Sequence, residues 1–363
     1  MTEQDFICRS SLGTMPQGKV TWQSPSNIAL VKYWGKKENQ IPANPSISFT
    51  LDNCKTTTTI EFQPKKPSET KQKGFDFEFY FEGKKKEDFK PKITTFLDRI
   101  ISYCPFLQDI QLTINSENSF PHSSGIASSA SGMSALALCI MSIEKHFNPE
   151  MKDTYFYEKA SFLARLGSGS ACRSIKGNLV VWGEHSEIEN SSNLYGVTYK
   201  DAIHEVFDNY QDTILLVDKG EKQVSSSLGH NLMQGHPFAA QRFIQAHSNL
   251  LKLKIIFKEG DLKKFIEIVE SEALTLHAMM MSSNPYFILM KPNTLEIINK
   301  IWKFRETTGL PVCFTLDAGA NVHVLYPNKN KEVILKFIKN ELIEHCQNQQ
   351  YILDNVGFGS KKL

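Results

Sequence analysis

Three short segments that lie far apart in the chain have the composition of anion-binding surfaces: residues 27–36, 121–132 and 167–174. Each combines small residues with hydroxyl, amide or basic side chains, which are groups that bind phosphates and carboxylates. An isolated acidic residue, Asp317, follows in the segment TLDAGAN. Together these residues indicate a site for two phosphorylated molecules with one carboxylate between them. That combination predicts phosphoryl transfer to a small anionic metabolite.

The segment PHSSGIASSASG, at 121–132, precedes a predicted helix. Gly125 permits a tight turn, and the free amides at a helix start carry partial positive charge that attracts phosphate. The hydroxyls of Ser128, Ser129 and Ser131 can reach a phosphate oxygen or a magnesium ion that bridges two phosphates. The segment is not a Walker A loop, because no GK[ST] sequence ends it. A plain serine-capped helix explains this segment equally well by itself.

The segment GSGSACRS adds a positive charge to the same design. Ser168 and Ser170 are hydroxyl donors, and Arg173 lies about one helical turn after Ser168 if a helix begins there. A guanidinium at this place can bind a carboxylate or phosphate through two parallel hydrogen bonds. The alternative is a surface arginine in an exposed ion pair, which contributes little to stability.

The segment SPSNIALVKYWGKK begins as an apolar strand and carries Asn27 among its small residues. In a strand, Lys32 and Lys36 share one face, whereas Tyr33 points to the other face unless the chain turns at Gly35. Two lysines directed into one cleft would suit a polyanionic ligand. The alternative is that both lysines are solvated charges at a strand end.

Asp317 follows an apolar strand and precedes a turn of small residues. An Asp before Gly commonly caps its own turn, and it can instead orient a substrate hydroxyl. His277 and the neighbouring methionines Met279, Met280 and Met281 lie at helical spacing, which favours packing roles over ligand binding.

Several predicted elements must position these segments. The region up to about residue 60 is rich in β-forming residues. The alternating run FDFEFYFE fits a hairpin strand with one solvent-exposed face. We interpret the lysines of the flanking PKKPSETKQKG and EGKKKEDFKPK as solvated loop charges; the alternative is that they attract nucleotide. Helices are predicted over 128–146 and 154–167, and a buried strand is predicted over 178–185.

The second half of the chain reads as strands followed by packed helices, which indicates an α+β layer and not a doubly wound sheet. We expect a boundary between Tyr199 and Asp212, before the strand TILLVD. The predicted elements after that strand are helices at 236–260, 262–281 and 294–309, strands at 312–318 and 321–327, and a helix at 331–346.

Size and composition limit the protein class. The 363 residues exceed a single usual core and suggest two domains or one large α/β unit. A net charge of +2, from 41 basic and 39 acidic residues, argues against a nucleic-acid-binding protein. The seven cysteines never form CxxC, and no signal-peptide core or membrane-spanning apolar run is visible. We expect a cytoplasmic protein with no disulfide framework that binds neither nucleic acid nor membrane.

Five segments are similar, in order, to the signatures of one family: SNIALVKYWGKK, NPSISFTL, SFPHSSGIASSASG, ARLGSGSACRS and TLDAGAN. They resemble the diphosphomevalonate decarboxylase family of the GHMP kinase superfamily. The resemblance implies an α+β, GHMP-kinase-like architecture of two domains, 1–205 for nucleotide and substrate binding and 206–363 as the C-terminal domain. Mixed or antiparallel sheets would pack against helices, with the active site in the cleft between them.

The resemblance also implies a reaction: decarboxylation of mevalonate 5-diphosphate to isopentenyl diphosphate, with ATP as cosubstrate and Mg²⁺, usually by a homodimer. It places Asp317 against the tertiary C3 hydroxyl of the substrate, Arg173 on the C1 carboxylate and Lys32 near the same reacting centre. Asn27 would order the surroundings of Lys32 and Arg173. The residues implied for the substrate's diphosphate are Tyr33, Lys36, Ser168, Gly169 and Ser170. The residues implied for ATP are Pro121, Ser124, Gly125, Ala127, Ser128, Ser129 and Ser131, with Ser128 as the candidate magnesium contact.

Four positions depart from the family pattern. Ala320 replaces the proline of the usual DAGPN, which removes a constraint on φ, and Pro45 stands in NPSIS where NSSIS is more usual. Ser227 stands near the place where some bacterial members have an arginine on the diphosphate, and His230 where methionine is frequent. The open alternatives are a mevalonate 5-phosphate decarboxylase, a mevalonate kinase-like enzyme that stops after phosphorylation, and a non-catalytic metabolite-binding protein.

Overall fold

The structure, a computed structural model, describes residues 1–8, 17–65, 74–121, 126–219 and 226–363. Its strands are β1 (Gly18–Val31), β2 (Ser46–Pro64), β3 (Asp76–Phe81), β4 (Lys84–Lys85), β5 (Ile110–Asn118), β6 (Leu179–Trp182), β7 (Val197–Thr198), β8 (Gln211–Leu215), β9 (Cys313–Thr315), β10 (Val322–Tyr326), β11 (Tyr351–Asn355) and β12 (Lys361–Lys362). Its helices are α1 (Lys90–Ile100), α2 (Ser128–Phe147), α3 (Asp153–Gly167), α4 (Ser226–Asn231), α5 (Ala239–Glu259), α6 (Leu262–Met281), α7 (Pro292–Thr308) and α8 (Lys331–Phe337).

The first sheet has the strand order β12-β1-β2-β5-β3-β4, and β6 and β7 extend it from β2. All its pairings are antiparallel except that between β3 and β5. Helices α1, α2 and α3 bury apolar side chains such as Phe96, Leu138 and Phe162 against it. Burial of such side chains from water supplies most of the stabilisation of this layer.

The second sheet is antiparallel, with the order β11-β8-β10-β9. Phe314 and Val324 of this sheet share a core with Ile298 of α7 and Ile334 of α8. Within the described part of the chain, no helix is long and apolar enough to cross a membrane. All seven cysteines are free thiols, as the sequence predicts. The α+β class with two sheets and packed helices is therefore confirmed.

Several predicted elements have different bounds in the structure. The strand expected over 178–185 ends at Trp182, because Gly183 has a φ of 103° that turns the chain. The helix expected over 331–346 ends at Phe337 and continues as a π-turn, Ile338–Leu342. The final strand, β12, returns to pair with Trp22 and Gln23 of β1. A division into 1–205 and 206–363 stays a prediction.

Four structural features bring the polar segments to one place. Strand β1 ends at Val31, helix α2 begins at Ser128, and a 3₁₀ turn, Gly169–Ser174, joins α3 to β6. The turn between β9 and β10 carries Asp317 at the edge of the second sheet. All four open into one cleft.

Candidate active site

A polar cavity of about 650 Å³ opens between the two sheet layers. Residues from every polar segment singled out in the sequence line it, together with residues of α1, α4 and α6. The lining residues are Asn27, Ala29, Lys32, Tyr33, Trp34, Lys36, Gln40, Lys92, Thr95, Phe96, Arg99, Ala127, Ser128, Ser129, Gly167, Ser168, Gly169, Ser170, Arg173, His230, Leu276, Asp317 and Ala318.

Lys32 and Asp317 meet in this cavity, with 3.3 Å between Lys32 Nζ and Asp317 Oδ1. The Lys32 side chain is only 2% exposed, whereas that of Asp317 is 29% exposed. Burial lowers the pKa of Lys32, and the carboxylates of Asp317 and Glu272 oppose that shift. The pair thus places a buried, poorly solvated ammonium group beside a carboxylate that is partly exposed to the cavity.

The turn that carries Asp317 is closed by its own backbone. The Gly319 amide donates to the Asp317 carbonyl at 2.7 Å, and His277 Nε2 donates to the same carbonyl at 3.1 Å. Burial lowers the pKa of His277 to about 4, so its ring is neutral at pH 7. His277 therefore supports Asp317, a role that its helical spacing in the sequence did not indicate. The Ala320 carbonyl in the same turn accepts from Thr294 at 2.7 Å.

Arg173 is buried and does not form the surface ion pair that the sequence left open. Its Nε donates to Ser48 Oγ at 2.6 Å and its Nη1 to Ser46 Oγ at 2.7 Å. Its guanidinium carbon lies 5.8 Å from the centre of the Trp182 ring. Burial lowers the pKa of Arg173, so an anion in the cavity would relieve an energetic cost.

Asn27 holds the 3₁₀ turn around Arg173. Its Nδ2 donates to the Ser170 carbonyl at 3.1 Å and to Ser174 Oγ at 2.7 Å. Gly169 in this turn has no room for a side chain, because an added Cβ would lie 2.8 Å from Trp182 and 2.9 Å from the Tyr33 hydroxyl. The turn is therefore fixed by its neighbours before any ligand binds.

Tyr33 lines the same cavity as Lys32 and Lys36, because strand β1 and its alternation of faces end at Val31 and the chain then turns at Gly35, whose φ is 96°. The centre of the Tyr33 ring lies 4.2 Å from that of the His230 ring, and the centre of the Trp34 ring lies 4.7 Å from it. His230 Nδ1 accepts from the Gly35 amide at 3.0 Å. Burial, with Lys36 and Arg173 nearby, lowers the pKa of His230 to about 3. The neutral His230 ring thus packs against Tyr33 and Trp34 and fixes the turn at Gly35.

Helix α1 supplies two basic residues that the sequence interpretation missed. Lys92 and Arg99 line the cavity, and Arg99 also donates to the Leu166 carbonyl at 2.8 Å. Burial and then Arg99 lower the pKa of Lys36. We interpreted the stretch EGKKKEDFKPK as solvated loop charges; Lys92 is exposed, as that interpretation expects, but it lies on α1 and also lines the cavity. Among the described lining residues, five are Lys or Arg and one, Asp317, is acidic, so the cavity attracts polyanions.

The start of α2 presents backbone and hydroxyl groups to the cavity through Ala127, Ser128 and Ser129. The residue before the helix is Ala127, in the left-handed region with a φ of 45°, and its side chain makes no cap. A plain serine cap at the first position is therefore not the arrangement observed. Ser129 Oγ lies 3.4 Å from Ser168 Oγ, which joins the two small-residue segments.

Two other residues predicted for this site, Ser131 and Pro121, do not line the cavity. Ser131 is fully buried, with its hydroxyl 2.6 Å from that of Thr56, and it is not part of the cavity lining. Pro121 is exposed and also lies outside the lining. Ser124 and Gly125 fall outside the described residues, as does the side chain of Ser227. The structure leaves their predicted roles open.

A smaller apolar recess of about 90 Å³ adjoins the start of α2. Lys92, Ser128 and Ser129 line both this recess and the polar cavity, so the two spaces are neighbours. Its other lining residues are Thr56, Thr58, Phe79, Phe81, Phe89, Ile93, Ile114, Ser116, Asn118, Gly132, Met133 and Leu136. An apolar slot beside a cationic cavity can accept a flat ring with an attached anion.

Two family models match most of the chain. A diphosphomevalonate decarboxylase-like N-terminal domain matches residues 24–193, and a mevalonate 5-diphosphate decarboxylase C-terminal domain matches residues 213–358. Among characterised relatives, a diphosphomevalonate decarboxylase of Gibberella zeae is 30% identical over 327 residues, which are 86% of this chain and 82% of the relative. That of Schizosaccharomyces pombe is 27% identical, over 87% of this chain and 80% of the relative.

Solved structures give the same relationship. Mevalonate diphosphate decarboxylase from Staphylococcus aureus superposes with a TM-score of 0.80 at 28% identity, over 96% of this chain and 98% of that one. The enzyme from Enterococcus faecalis superposes with a TM-score of 0.79 at 27% identity, over 96% and 99%. A further neighbour, MDDEF in complex with MVAPP, AMPPCP and magnesium, has a TM-score of 0.80 at 28% identity, over 96% and 99%.

Proposed function

Because this chain belongs to the diphosphomevalonate decarboxylase family, we propose that it catalyses the ATP-dependent decarboxylation of mevalonate 5-diphosphate to isopentenyl diphosphate, CO2, ADP and phosphate. One observation in its own structure carries the proposal. A carboxylate, Asp317, and a buried lysine, Lys32, meet at 3.3 Å in a cationic cavity that Arg173 also lines. This arrangement suits a substrate with a hydroxyl, a carboxylate and a diphosphate.

The proposed orientation of the substrate is the one that the resemblance to the family implies. The C3 hydroxyl would lie against Asp317 and the C1 carboxylate against Arg173, whose guanidinium is already held by two serine hydroxyls. The diphosphate would lie on Lys36 and Tyr33 and on the turn formed by Ser168, Gly169 and Ser170. Asn27 supports this orientation because it holds the turn that carries Arg173.

In the first step, the γ-phosphoryl group of ATP is transferred to the C3 hydroxyl. Phosphoryl transfer has a loose transition state, so alignment and charge neutralisation contribute more than covalent help from the protein. Asp317 orients the hydroxyl and takes its proton late in the transfer, while Lys32 offsets negative charge on the transferred group. The buried position of Lys32 strengthens this interaction because little water screens it.

In the second step, the C3–O bond breaks and phosphate leaves, which puts positive character on the tertiary carbon. The C1–C2 bonding electrons then form the C2=C3 double bond, and C1 leaves as CO2. Arg173 must hold the carboxylate without stabilising it uniformly, because only interactions that strengthen toward the transition state accelerate the step. Its hydrogen bonds to Ser46 and Ser48 limit how closely it can follow the departing group.

We propose that ATP binds with its phosphates at Ala127, Ser128 and Ser129 and its adenine in the adjoining apolar recess. The recess and the cavity share Ser128, Ser129 and Lys92, so one nucleotide can occupy both. The neighbour MDDEF was solved with AMPPCP, an analogue of ATP, which supports a nucleotide in this fold. Lys92 would then pair with the phosphates as a point charge.

Magnesium fits the donors present at this site. The hydroxyl of Ser128 and the carboxylate of Asp317 are oxygen ligands of the kind Mg²⁺ prefers, and both line the cavity. No cluster of three or more His, Cys, Asp or Glu side chains suited to a metal occurs among the described residues. When bound with nucleotide phosphates, the ion would neutralise their negative charge. Ser128 remains our candidate contact.

The direct test is incubation of the protein with ATP, Mg²⁺ and either mevalonate 5-diphosphate or mevalonate 5-phosphate, with products identified by mass. We expect isopentenyl diphosphate from the diphosphate, with equal amounts of CO2, phosphate and ADP. Turnover of the monophosphate alone would instead support the 5-phosphate decarboxylase. ADP without CO2 would support a kinase, and ligand-induced stabilisation without turnover would support a binding protein.

Two further proposals accompany this function. We expect a homodimer, which sedimentation at several protein concentrations can test. We also expect the cytoplasm as the compartment, since all seven thiols are unpaired and six of them are buried. A stable monomer, or a disulfide in the purified protein, would contradict the respective expectation.

A further inference from the structure

A fully buried ionic cluster lies directly behind Lys32. Arg242 of α5 and Glu272 of α6 are both 0% exposed and are joined by hydrogen bonds of 2.6 and 3.0 Å. Asn249 of α5 donates to Glu272 Oε1 at 2.6 Å. None of these three residues lines the cavity. Their charges are therefore not available to a ligand.

The cluster binds the backbone of Lys32 on both sides. The Lys32 amide donates to Glu272 Oε2 at 2.9 Å, and Arg242 Nη2 donates to the Lys32 carbonyl at 3.0 Å. Asn44 Nδ2 donates to the same carbonyl at 3.0 Å. Lys32 is the first residue after β1, where sheet pairing ends. Side chains of α5 and α6, together with Asn44, thus replace the missing strand neighbours at this residue.

Stability alone does not explain a buried ion pair of this kind. Removing two charges from water is costly, and well-packed apolar residues often stabilise a core as well or better. Arg242 Nε also has no hydrogen-bond partner, which adds to the cost. What the Arg242–Glu272 pair provides is a fixed geometry, because a bidentate arginine and carboxylate hold the atoms they bind within narrow limits. The fixed atoms here belong to Lys32.

Helix α6 also supports Asp317, which is the partner of Lys32 in the cavity. Glu272 holds the Lys32 amide, and five residues later His277 holds the Asp317 carbonyl at 3.1 Å. These two contacts are separated by about 7.5 Å of helix rise. A single rigid element therefore sets the position of Lys32 relative to Asp317.

We propose that Arg242 and Glu272 are positioning residues, which fix the backbone of Lys32 and so set the approach of its ammonium group to Asp317 and the reacting phosphoryl group. This inference rests on the proposed decarboxylation. Arg242 and Glu272 touch neither substrate nor nucleotide; they act through Lys32. A displacement of about 1 Å at a reacting group can cost on the order of a hundredfold in rate.

The test replaces the whole pair with apolar residues of similar size in the full-length protein, Arg242→Met with Glu272→Leu. No buried charge is left unpaired, so we expect the variant to fold. Because Lys32 acts in the transition state, we expect kcat to fall about thirtyfold or more, with KM for mevalonate 5-diphosphate within about threefold of wild type. The matched control is Lys159→Met with Glu144→Leu, which removes a buried pair of 2.7 Å whose residues do not line the cavity. We expect the control to keep its kcat.

A second variant covers failure of the first to fold. Arg242→Lys keeps a charge for Glu272 but loses the planar fork that also reaches the Lys32 carbonyl. We expect about a tenfold lower kcat with unchanged KM. A folded variant of either design with kcat within threefold of wild type would overturn the positioning role. So would equal losses in the control.

The wild-type protein is assayed first, which separates the two proposals. If it releases no CO2 from mevalonate 5-diphosphate, the proposed function fails and the positioning role falls with it. If it is active and the variants are unaffected, only the positioning role fails.

Discussion

Two buried lysine–carboxylate pairs in this molecule differ in what surrounds them. Lys159 of α3 lies 2.7 Å from Glu144 of α2, with side chains 0% and 3% exposed, and its ammonium also donates to the Tyr103 carbonyl at 3.0 Å. Lys32 lies 3.3 Å from Asp317, whose side chain is 29% exposed to a cavity. We call Lys159–Glu144 the sealed pair, because both of its side chains are buried. We call Lys32–Asp317 the open pair, because its carboxylate is partly exposed to the cavity.

This difference in exposure distinguishes an ion pair that serves the structure from one that can take part in chemistry. A sealed pair must satisfy its own charges, so removing one partner leaves an unpaired charge in the core. An open pair keeps part of its carboxylate exposed to the cavity, where a substrate can contact it. Burial lowers the pKa of Lys32 in the open pair and raises the pKa of Glu144 in the sealed pair, so each pair carries a cost of desolvation.

The largest expected effect follows from breaking the open pair at its acid. In Asp317→Asn we expect turnover to fall at least a thousandfold, which is about 4 kcal/mol of barrier, with a modest change in substrate affinity. The check is steady-state kinetics together with calorimetric binding of mevalonate 5-diphosphate. Glu144→Gln is the matched change in the sealed pair, and its folded fraction should turn over normally. Turnover of Asp317→Asn within tenfold of wild type would remove Asp317 from the chemistry.

Arg173→Gln extends the comparison to the carboxylate of the substrate. We expect about a hundredfold loss of turnover, because a preorganised charge facing the reacting carboxylate is lost. Product analysis should show CO2 falling in step with substrate consumption. A variant impaired only in nucleotide affinity would contradict the placement of Arg173.

Stability should show the opposite ranking of the two pairs. Lys159→Met leaves Glu144 buried and unpaired, so we expect a loss of about 3–5 kcal/mol in the free energy of unfolding. Lys32→Met removes a lysine whose pKa is lowered on folding and leaves Asp317 in contact with solvent, so we expect a change below about 1 kcal/mol. Urea denaturation of both variants checks this. Equal losses would erase the distinction between sealed and open pairs.

These contrasts also show what the sequence could and could not predict. Helix α2 was predicted from its run of helix-forming residues, and the convergence of Lys32, Arg173 and Asp317 was predicted from the resemblance to the family. The contact of Arg242 with Glu272 was not, because 30 residues separate the two and their packing is set by the fold. Distances along the chain carry no information about such pairings.

Helix α1 was missed for a different reason. Its sequence KPKITTFLDRI opens with two lysines and a proline, which resembles the charged loop before it. The proline lies in the first turn, where the absent N–H costs nothing, and Ile93, Phe96, Leu97 and Ile100 form an apolar face at helical spacing. The periodicity was present in the sequence, but the charges obscured it. Because α1 was not predicted, Lys92 and Arg99 were not predicted as lining residues of the cavity.

The smallest expected effect concerns acid stability at the cavity wall. The pKa of His230 is about 3 in the folded protein, mainly through burial, against about 6.5 in an unfolded chain. Between these values the unfolded state binds more protons, so the free energy of unfolding falls as the pH drops below about 6.5. We expect His230→Met to retain about 2 kcal/mol more of its pH 7 stability at pH 5 than wild type does.

Urea denaturation at pH 7 and pH 5 measures this difference. His146→Gln is the control, because His146 is exposed and its replacement should leave the acid decline unchanged. An identical decline in His230→Met and wild type would show that His230 is not held neutral by its surroundings.

The most direct test is a crystal structure of Asp317→Asn with mevalonate 5-diphosphate, ATP and Mg²⁺ bound. We predict the C3 hydroxyl within hydrogen-bonding distance of residue 317 and of Lys32 Nζ, the C1 carboxylate on Arg173, and the diphosphate beside Lys36. A substrate bound the other way round, with its diphosphate on Arg173 and its hydroxyl out of reach of residue 317, would contradict the account.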